Sequence, residues 1–346
     1  MTSQASPFDD AAVAAAEARY GDVITILSST LNDPALNEAD QVAALTNRAI
    51  AYSLMGGFEL ARRDLDNART IDPDNALALN QLGILAEQVD KAPGEAARLY
   101  EKAAETGLAA AAVNLARLYR SGRGVSADSG LALALYQAAA EQGYAPAYGP
   151  IGAMYFNGEG TERDEVVAAE WLQKAVDNGS VEASLFLGRL YEAGSGVARN
   201  PEAAVELYRS AAVAGNSDAQ NALGYMYRSG SGVERSFEEA VKWYKSASDQ
   251  GQMEARNRLA WLLAACPTPA ICNGEEAVRL ARSVVAEDAA PGHLDTLAAA
   301  LARAGEFDEA IAVQLQAVAG TPAGAGARGR YERRLALYRS ASPFQL

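Results

Sequence analysis

Glycine returns along this chain at a fixed interval. The pairs Gly122/Gly124, Gly158/Gly160, Gly194/Gly196 and Gly230/Gly232 stand 36 residues apart, each with a tyrosine three residues before its first glycine (Tyr119, Tyr155, Tyr191, Tyr227). A second series of single glycines, Gly107, Gly143, Gly179, Gly215 and Gly251, keeps the same period. So do two alanine columns, Ala96, Ala132, Ala168, Ala204, Ala240 and Ala103, Ala139, Ala175, Ala211, Ala247. Between them runs a bulkier column of Leu99, Leu135, Trp171, Leu207 and Trp243. Self-similarity at such a period marks an array of small units, each burying its apolar face against its neighbours, in place of one central core.

Each unit reads as two helices. Leu187, Leu190 and Tyr191 fall at helical spacing, and so do Ala204, Leu207, Tyr208 and Ala211. After each Gly-x-Gly come Asp128, Asp164, Asn200 or Ser236, residue types whose side-chain oxygens accept from the free N–H groups of a helix start. Pro201 suits the first helical position, and Ser236 with Glu239 has the spacing of a capping box. The single glycine closing each unit suits a left-handed helix stop. The alanine columns let helices approach closely, and a large residue at such a contact, as in Gly188→Trp, is expected to cost about 1–3 kcal/mol or more by overpacking.

The blocks LGRLYEAGSGVARNPEAAVELYRSAAVAGN and LGYMYRSGSGVERSFEEAVKWYKSASDQGQ resemble Sel-one-like repeats, longer-looped relatives of the tetratricopeptide repeat. The resemblance spans residues 92–265 in several columns at once. Upstream, residues 47–76 resemble an ordinary tetratricopeptide repeat through Tyr52, Gly57, Phe58, Ala61, Ala68 and Pro73, with residues 9–35 as a degenerate capping copy. Downstream, residues 295–322 resemble another, marked by Gly305, Phe307, Ala310 and Ala317, with Asp295 as its helix cap. Gly320–Gly329 reads as a loop and Tyr331–Arg339 as a last amphipathic helix. The expected fold is all-α: one continuous right-handed α-solenoid of stacked helix-turn-helix repeats, with about 16 or 17 helices. Its segments are 1–91 (tetratricopeptide-like), 92–265 (Sel-one-like) and 266–346 (a tetratricopeptide-like repeat and capping helix).

The resemblance implies a concave groove lined by the first helix of each repeat. Carried over by register, one groove column is Arg117, Ala153, Arg189, Tyr225 and Trp261. A second is Arg120, Phe156, Glu192 and Arg228, and a third is Val113, Gly149, Leu185, Asn221 and Asn257. Arginine and aromatic side chains are the types that dominate interface energetics. The candidate partner-binding residues are therefore Arg117, Arg120, Phe156, Arg189, Glu192, Asn221, Tyr225, Arg228, Asn257 and Trp261, suited to an extended acidic or carboxylate-bearing segment. The same residues also read as ordinary solvated helix positions. Thr46 and Ile50 stand where carboxylate-clamp families carry Lys and Asn, which argues against recognition of that kind.

Composition narrows the chemistry. With 30 basic and 44 acidic side chains the formal charge is −14, the wrong sign for a phosphate backbone, so no nucleic-acid partner is expected. No run approaches the roughly 18 apolar residues of a membrane span, so no membrane insertion is expected either. His293 is the sole histidine, reading as a surface or packing residue ahead of Asp295, and leaves little for a metal site or a catalytic triad. The Gly-x-Gly turns lack the preceding strand and following Lys-Ser/Thr of a phosphate loop. The pairs Glu238/Glu239 and Glu275/Glu276 fall in first helical turns, where the helix dipole favours acids. Some relatives of the repeat family were described as β-lactamase-like, but the Ser-x-x-Lys motif is absent; no enzyme activity and no cofactor are expected. Cys266 and Cys272 admit two readings, a disulfide stapling a Pro-rich loop, adding about 2–3 kcal/mol at most, or two small buried thiols.

The start MTSQASPFDDAAV shows neither the basic residues nor the apolar core of a signal peptide, which taken literally means cytoplasmic. The cysteine pair, the polar start and the exported bacterial relatives favour the periplasm or secretion instead. The expected function is a non-enzymatic scaffold or adaptor that binds a protein or peptide in its concave groove. The alternatives are an inhibitory regulator that sequesters a signalling or envelope protein, and recognition of a cell-envelope glycan or peptidoglycan fragment by Phe156, Tyr225 and Trp261.

Overall fold

The computed structural model describes residues 6–266 and 268–346, and among them every regular element is helical, as expected of an α-solenoid of stacked helical repeats. The chain divides into two compact units, Met1–Ala175 and Val176–Leu346. The first holds α1 (Pro7–Ala16), α2 (Tyr20–Thr30), α3 (Glu38–Leu54), α4 (Phe58–Ile71), α5 (Ala76–Gln88), α6 (Pro93–Glu105), α7 (Ala109–Ser121), α8 (Ser129–Glu141), α9 (Tyr148–Asn157) and α10 (Glu165–Asp177), whose last two residues belong to the second unit. The second holds α11 (Val181–Ala193), α12 (Pro201–Val213), α13 (Ser217–Ser229), α14 (Phe237–Asp249), α15 (Met253–Ala265), α16 (Gly274–Glu287), α17 (Pro291–Ala304), α18 (Phe307–Ala319) and α19 (Gly326–Arg339). That is nineteen α-helices among the described residues, more than the 16 or 17 expected. The surplus comes from the ends, where the glycine and alanine columns do not announce each helix.

The predicted helix signals operate as local chemistry. Oδ1 of Asp128 accepts from the Leu131 N–H at 2.9 Å, and Oδ1 of Asn200 from that of Ala203 at 3.0 Å. Oδ1 of Asp164 accepts from Val166 and Val167, each at 3.0 Å. Ser236 caps α14 through the Glu239 N–H at 3.2 Å, but only half of the capping box forms, because the Glu239 carboxylate turns to the Trp243 indole N–H at 3.1 Å. Glycine ends α7, α9, α11 and α13 in the left-handed region, at φ between 67° and 75°.

Two contacts set how repeats stack. Within a repeat, a tyrosine ring lies on a helical glycine: a Cβ added at Gly188 would stand 2.7 Å from the Tyr208 ring, and one at Gly224 2.7 Å from that of Tyr244. Between repeats, the second glycine of the loop presses main chain against main chain. A Cβ at Gly124 would meet the Gly94 nitrogen at 2.3 Å, one at Gly160 the Ser129 carbonyl oxygen at 2.2 Å, and one at Gly232 that of Pro201 at 2.3 Å. The alanine column Ala96, Ala132, Ala168, Ala204 and Ala240 is fully buried, as close helix approach requires.

Two features near the end differ from expectation. α19 starts at Gly326, inside the Gly/Ala-rich run. Arg328 supports that first turn by donating to the carbonyls of Val318 (3.1 Å) and Thr321 (2.8 Å) and pairing with Glu332 one turn on. Asp295 is not a cap: α17 begins four residues earlier, after Ala290, and Asp295 lies buried within it. His293, in the same first turn, is bonded to the carbonyl oxygen of Asp288 at 2.9 Å. Cys266 ends α15 and is bonded to Cys272, Cα–Cα 5.2 Å, across the short 3-10 turn Pro269–Ile271.

Candidate functional site

In the first unit the two arginines expected in the groove are engaged by carboxylates of the fold. Arg117 on α7 forms a bidentate pair with Glu87 of α5, at 2.9 and 2.7 Å. Glu87 is 3% exposed and also accepts from the Tyr100 hydroxyl at 3.1 Å, with Arg123 at 3.3 Å. Burial works to raise the Glu87 carboxyl, but the hydrogen bonds and charge of Arg117, with help from Tyr100 and Arg123, hold it below the ordinary glutamate range. Arg120 reaches Glu159 in the next loop at 2.6 and 3.1 Å, and Asn157 donates to the same carboxylate at 2.8 Å. That bond from Arg120 holds Glu159 below the usual range as well. Phe156, half-buried, carries the Arg163 guanidinium 5.0 Å from its ring centre.

In the second unit the same columns are used differently. Arg189 is exposed and has no ion pair among the described residues. Glu192 accepts from the Tyr208 hydroxyl at 2.7 Å. One repeat later the acceptor position is Arg228 and the tyrosine is Tyr244, fully buried. Its hydroxyl makes no hydrogen bond, and the charged groups around it, Arg228 and Arg258, can donate to its oxygen but offer no acceptor for its proton. Burial raises the Tyr244 phenol, and the two guanidiniums pull against that.

Arg228 and Arg258 lie over the Tyr225 ring at 5.4 and 5.6 Å. Arg258 pairs with Glu254 one turn back, whereas Arg228 has no carboxylate partner among the described residues. These side chains line a cleft of about 480 Å³ with Asn257, Trp261 and residues of α17 and α19. Four of the ten expected binding residues, Tyr225, Arg228, Asn257 and Trp261, meet there; Asn221 precedes Tyr225 by one turn and is not in the lining. The side-chain oxygens of Asn221 and Asn257 are both buried without a partner.

The far wall was not legible as a site in the sequence. Asp295 and Arg334 form a buried bidentate pair at 2.8 and 2.6 Å, and Gln314 donates to the same carboxylate at 2.8 Å. Burial pushes the Asp295 carboxyl above its ordinary range, with Arg334 and Gln314 pulling the other way. The Arg334 guanidinium lies 5.0 to 5.5 Å from the rings of Trp261, Tyr331 and Phe344 at once. The charged side chains of the lining are Arg228, Arg258, Arg330, Arg334 and Asp295, so 4 − 1 leaves +3 in a chain of −14. One signal was present: Asp295 interrupts the apolar face of α17, and Arg334 stands in the buried stripe Tyr331–Leu335–Tyr338 of α19.

The first unit also carries two cavities, of about 450 and 500 Å³, both lined by Ile50 and Leu54 and neither by a charged residue. Among the described residues no cluster of His, Cys, Asp or Glu is placed to hold a metal ion, and no helix is long and apolar enough to cross a membrane.

The Sel1 repeat model matches residues 76–108, 109–144, 148–180, 181–216 and 217–252, half of the chain. The chain belongs to the Sel1 repeat family. Its matched span begins at α5 and ends with α14, taking in the loops where glycine presses on the preceding repeat. Proteins of this family are generally interaction scaffolds without catalytic activity. Among solved structures, this Sel1 repeat protein is similar to c5321, a protective antigen of uropathogenic Escherichia coli with an SLR fold. That similarity is 24% identity over 87% of this chain and 72% of that one, with a TM-score of 0.69. A Sel1 repeat protein from Oxalobacter formigenes is 28% identical over 69% of this chain and 96% of its own, at a TM-score of 0.62. No curated protein matches the chain.

Proposed function

We propose that this Sel1 repeat protein is a non-enzymatic scaffold that holds a carboxylate-bearing peptide segment of another protein in the cleft around Tyr225, Arg228, Asn257 and Trp261. The observation that carries the reading is Arg228. It lies beside Arg258 on an aromatic ring, over a tyrosine hydroxyl that lacks an acceptor, and no carboxylate of the described chain answers it. A guanidinium fixed by stacking offers its donor fork to a carboxylate with little ordering left to do. An acidic protein with a locally cationic cleft also selects by charge, since its remaining surface repels the ligands that the cleft attracts.

Sugar stacking is less well supported. The ring of Tyr225 carries two guanidiniums, and Trp261 is flanked by Arg334 and by Phe344, whose ring centre lies 5.6 Å away. Assembly and sequestration of a partner would use the same contact, so both belong to this proposal.

The test is capture from cell extract on immobilised wild type and Arg228→Glu, after checking that their melting temperatures agree. A protein retained by the wild type, eluted by salt and lost on the variant supports the reading. Equal retention on both places the contact elsewhere.

A further inference from the structure

Two residues that follow α19, Phe344 and Leu346, line the cleft. α19 ends at Arg339, and Ala341 adopts a left-handed φ of 50°, a conformation uncommon outside glycine, which turns the following residues back. They are then held largely through main-chain groups. Arg303 of α17 donates to the Phe344 carbonyl oxygen at 3.0 Å while its Nε donates to that of Ala264 at 2.6 Å. The Leu346 N–H donates to the Ala265 carbonyl oxygen at 2.9 Å. The Phe344 side chain enters the cleft and packs on Trp261 and Arg334. Carbonyl to arginine, amide to a helix-end carbonyl and ring to ring is how an extended peptide would be held by such a surface.

The segment does not answer the cationic half. Ser342 spends its hydroxyl on the Ser340 carbonyl oxygen, and Gln345 is exposed. Among the described residues no ion pair joins residues 342–346 to Arg228 or Arg258, and Arg258 keeps only Glu254.

We propose that residues 342–346 are a placeholder, with Phe344 occupying the position that an aromatic side chain of the partner takes when it binds. The partner segment then has two features: an aromatic residue for Trp261 and Arg334, and a carboxylate nearby in sequence for Arg228 and Arg258. The inference rests on the cleft being a peptide site, as proposed above. The placeholder lowers apparent affinity by the fraction of molecules in which the aromatic position is closed, and a partner must displace it.

The probes are three fluorescein-labelled synthetic nonapeptides. One has a central phenylalanine with glutamates on both sides; in the second alanine replaces the phenylalanine, and in the third glutamines replace the glutamates. Anisotropy titrations compare the wild type with Phe344→Ala, checked for an unchanged melting temperature. The phenylalanine–glutamate peptide is expected to bind Phe344→Ala at least tenfold more tightly than the wild type. The alanine peptide should show no such gain, and the glutamine peptide should bind both proteins more weakly. Equal affinity for wild type and Phe344→Ala would overturn the placeholder and leave the peptide cleft standing. No binding of either glutamate peptide to either protein would overturn the cleft reading itself. Hydrogen exchange on the unaltered protein gives an independent check: the Leu346 amide should exchange faster when the first peptide is saturating, and an unchanged rate overturns displacement.

Discussion

Arg120 and Arg228 hold the same register position three repeats apart, and the fold treats them in opposite ways. Arg120 is clamped by Glu159, itself held by Asn157. Arg228 lies on Tyr225 in a cleft whose one lining carboxylate side chain, Asp295, is taken by Arg334. A neighbouring column repeats the contrast: Arg117 is spent on buried Glu87, while Arg189 stands exposed without an ion pair among the described residues. Register therefore gives a side chain its reach, and the residue that answers it decides between structure and availability. The cavities tell the same story, neutral and apolar around Ile50 and Leu54 in the first unit, cationic and aromatic in the second.

The sharpest way to break the comparison is at its buried ion pairs. Asp295→Ala would leave Arg334, 10% exposed, without its carboxylate. A loss of about 3–5 kcal/mol is expected in urea unfolding, because an uncompensated buried charge costs more than the pair contributes. A loss below about 1 kcal/mol would mean that water reaches Arg334 and that the far wall is not rigid.

The second test uses pH in the first unit. Glu87→Gln should cost about 1.5–3 kcal/mol at pH 7, since a hydrogen-bonded charge is lost and Arg117 keeps only a neutral partner. The Glu87 carboxyl is held below its unfolded value, so its contribution is fully present above about pH 4.5 and is lost as the pH falls through the folded value. The gap between wild type and Glu87→Gln should therefore narrow in unfolding curves taken below about pH 4.5. A gap that stays constant with pH would assign the cost to packing.

The smallest effect discriminates most directly. Arg120→Glu places like charges at Glu159 and should lower stability by about 1 kcal/mol while leaving the Tyr225–Trp261 cleft unaltered. Arg228→Glu, with no acid to repel, should shift stability by no more than about 0.5 kcal/mol while abolishing peptide binding. Measuring both unfolding midpoints and both peptide affinities checks the pair. Equal stability losses would remove the distinction between a spent and an available arginine.

Much of the architecture was legible because its determinants are local. Asp128, Asn200 and Ser236 cap the helices that follow them through the nearest N–H groups, and Gly122, Gly158, Gly194 and Gly230 each end a helix in the left-handed region. The expected binding residues were legible only as columns. Which members are free depends on residues 30 to 39 positions away: Glu87 for Arg117 and Glu159 for Arg120. Such pairings do not follow the 36-residue period and leave no local trace. The Ser236 cap shows the same limit at short range, where Glu239 had a competing donor in Trp243 and took it. Phe344 was invisible as a cleft residue for a related reason, since it reaches Trp261 through a turn made at Ala341 and not through a repeat.

The contacts at Gly124, Gly160 and Gly232 have a consequence for how such a chain can vary. There the distance from one repeat to the next is gauged by peptide groups touching peptide groups, and no side chain enters the gauge. Lettering can then be changed on either face while the line spacing stays as it was. A groove position can pass from Glu192 to Arg228, one repeat on, without moving the helices that present it. A single methyl group at Gly232, far from any partner, would do what no change in that lettering does: shift the margin between two repeats.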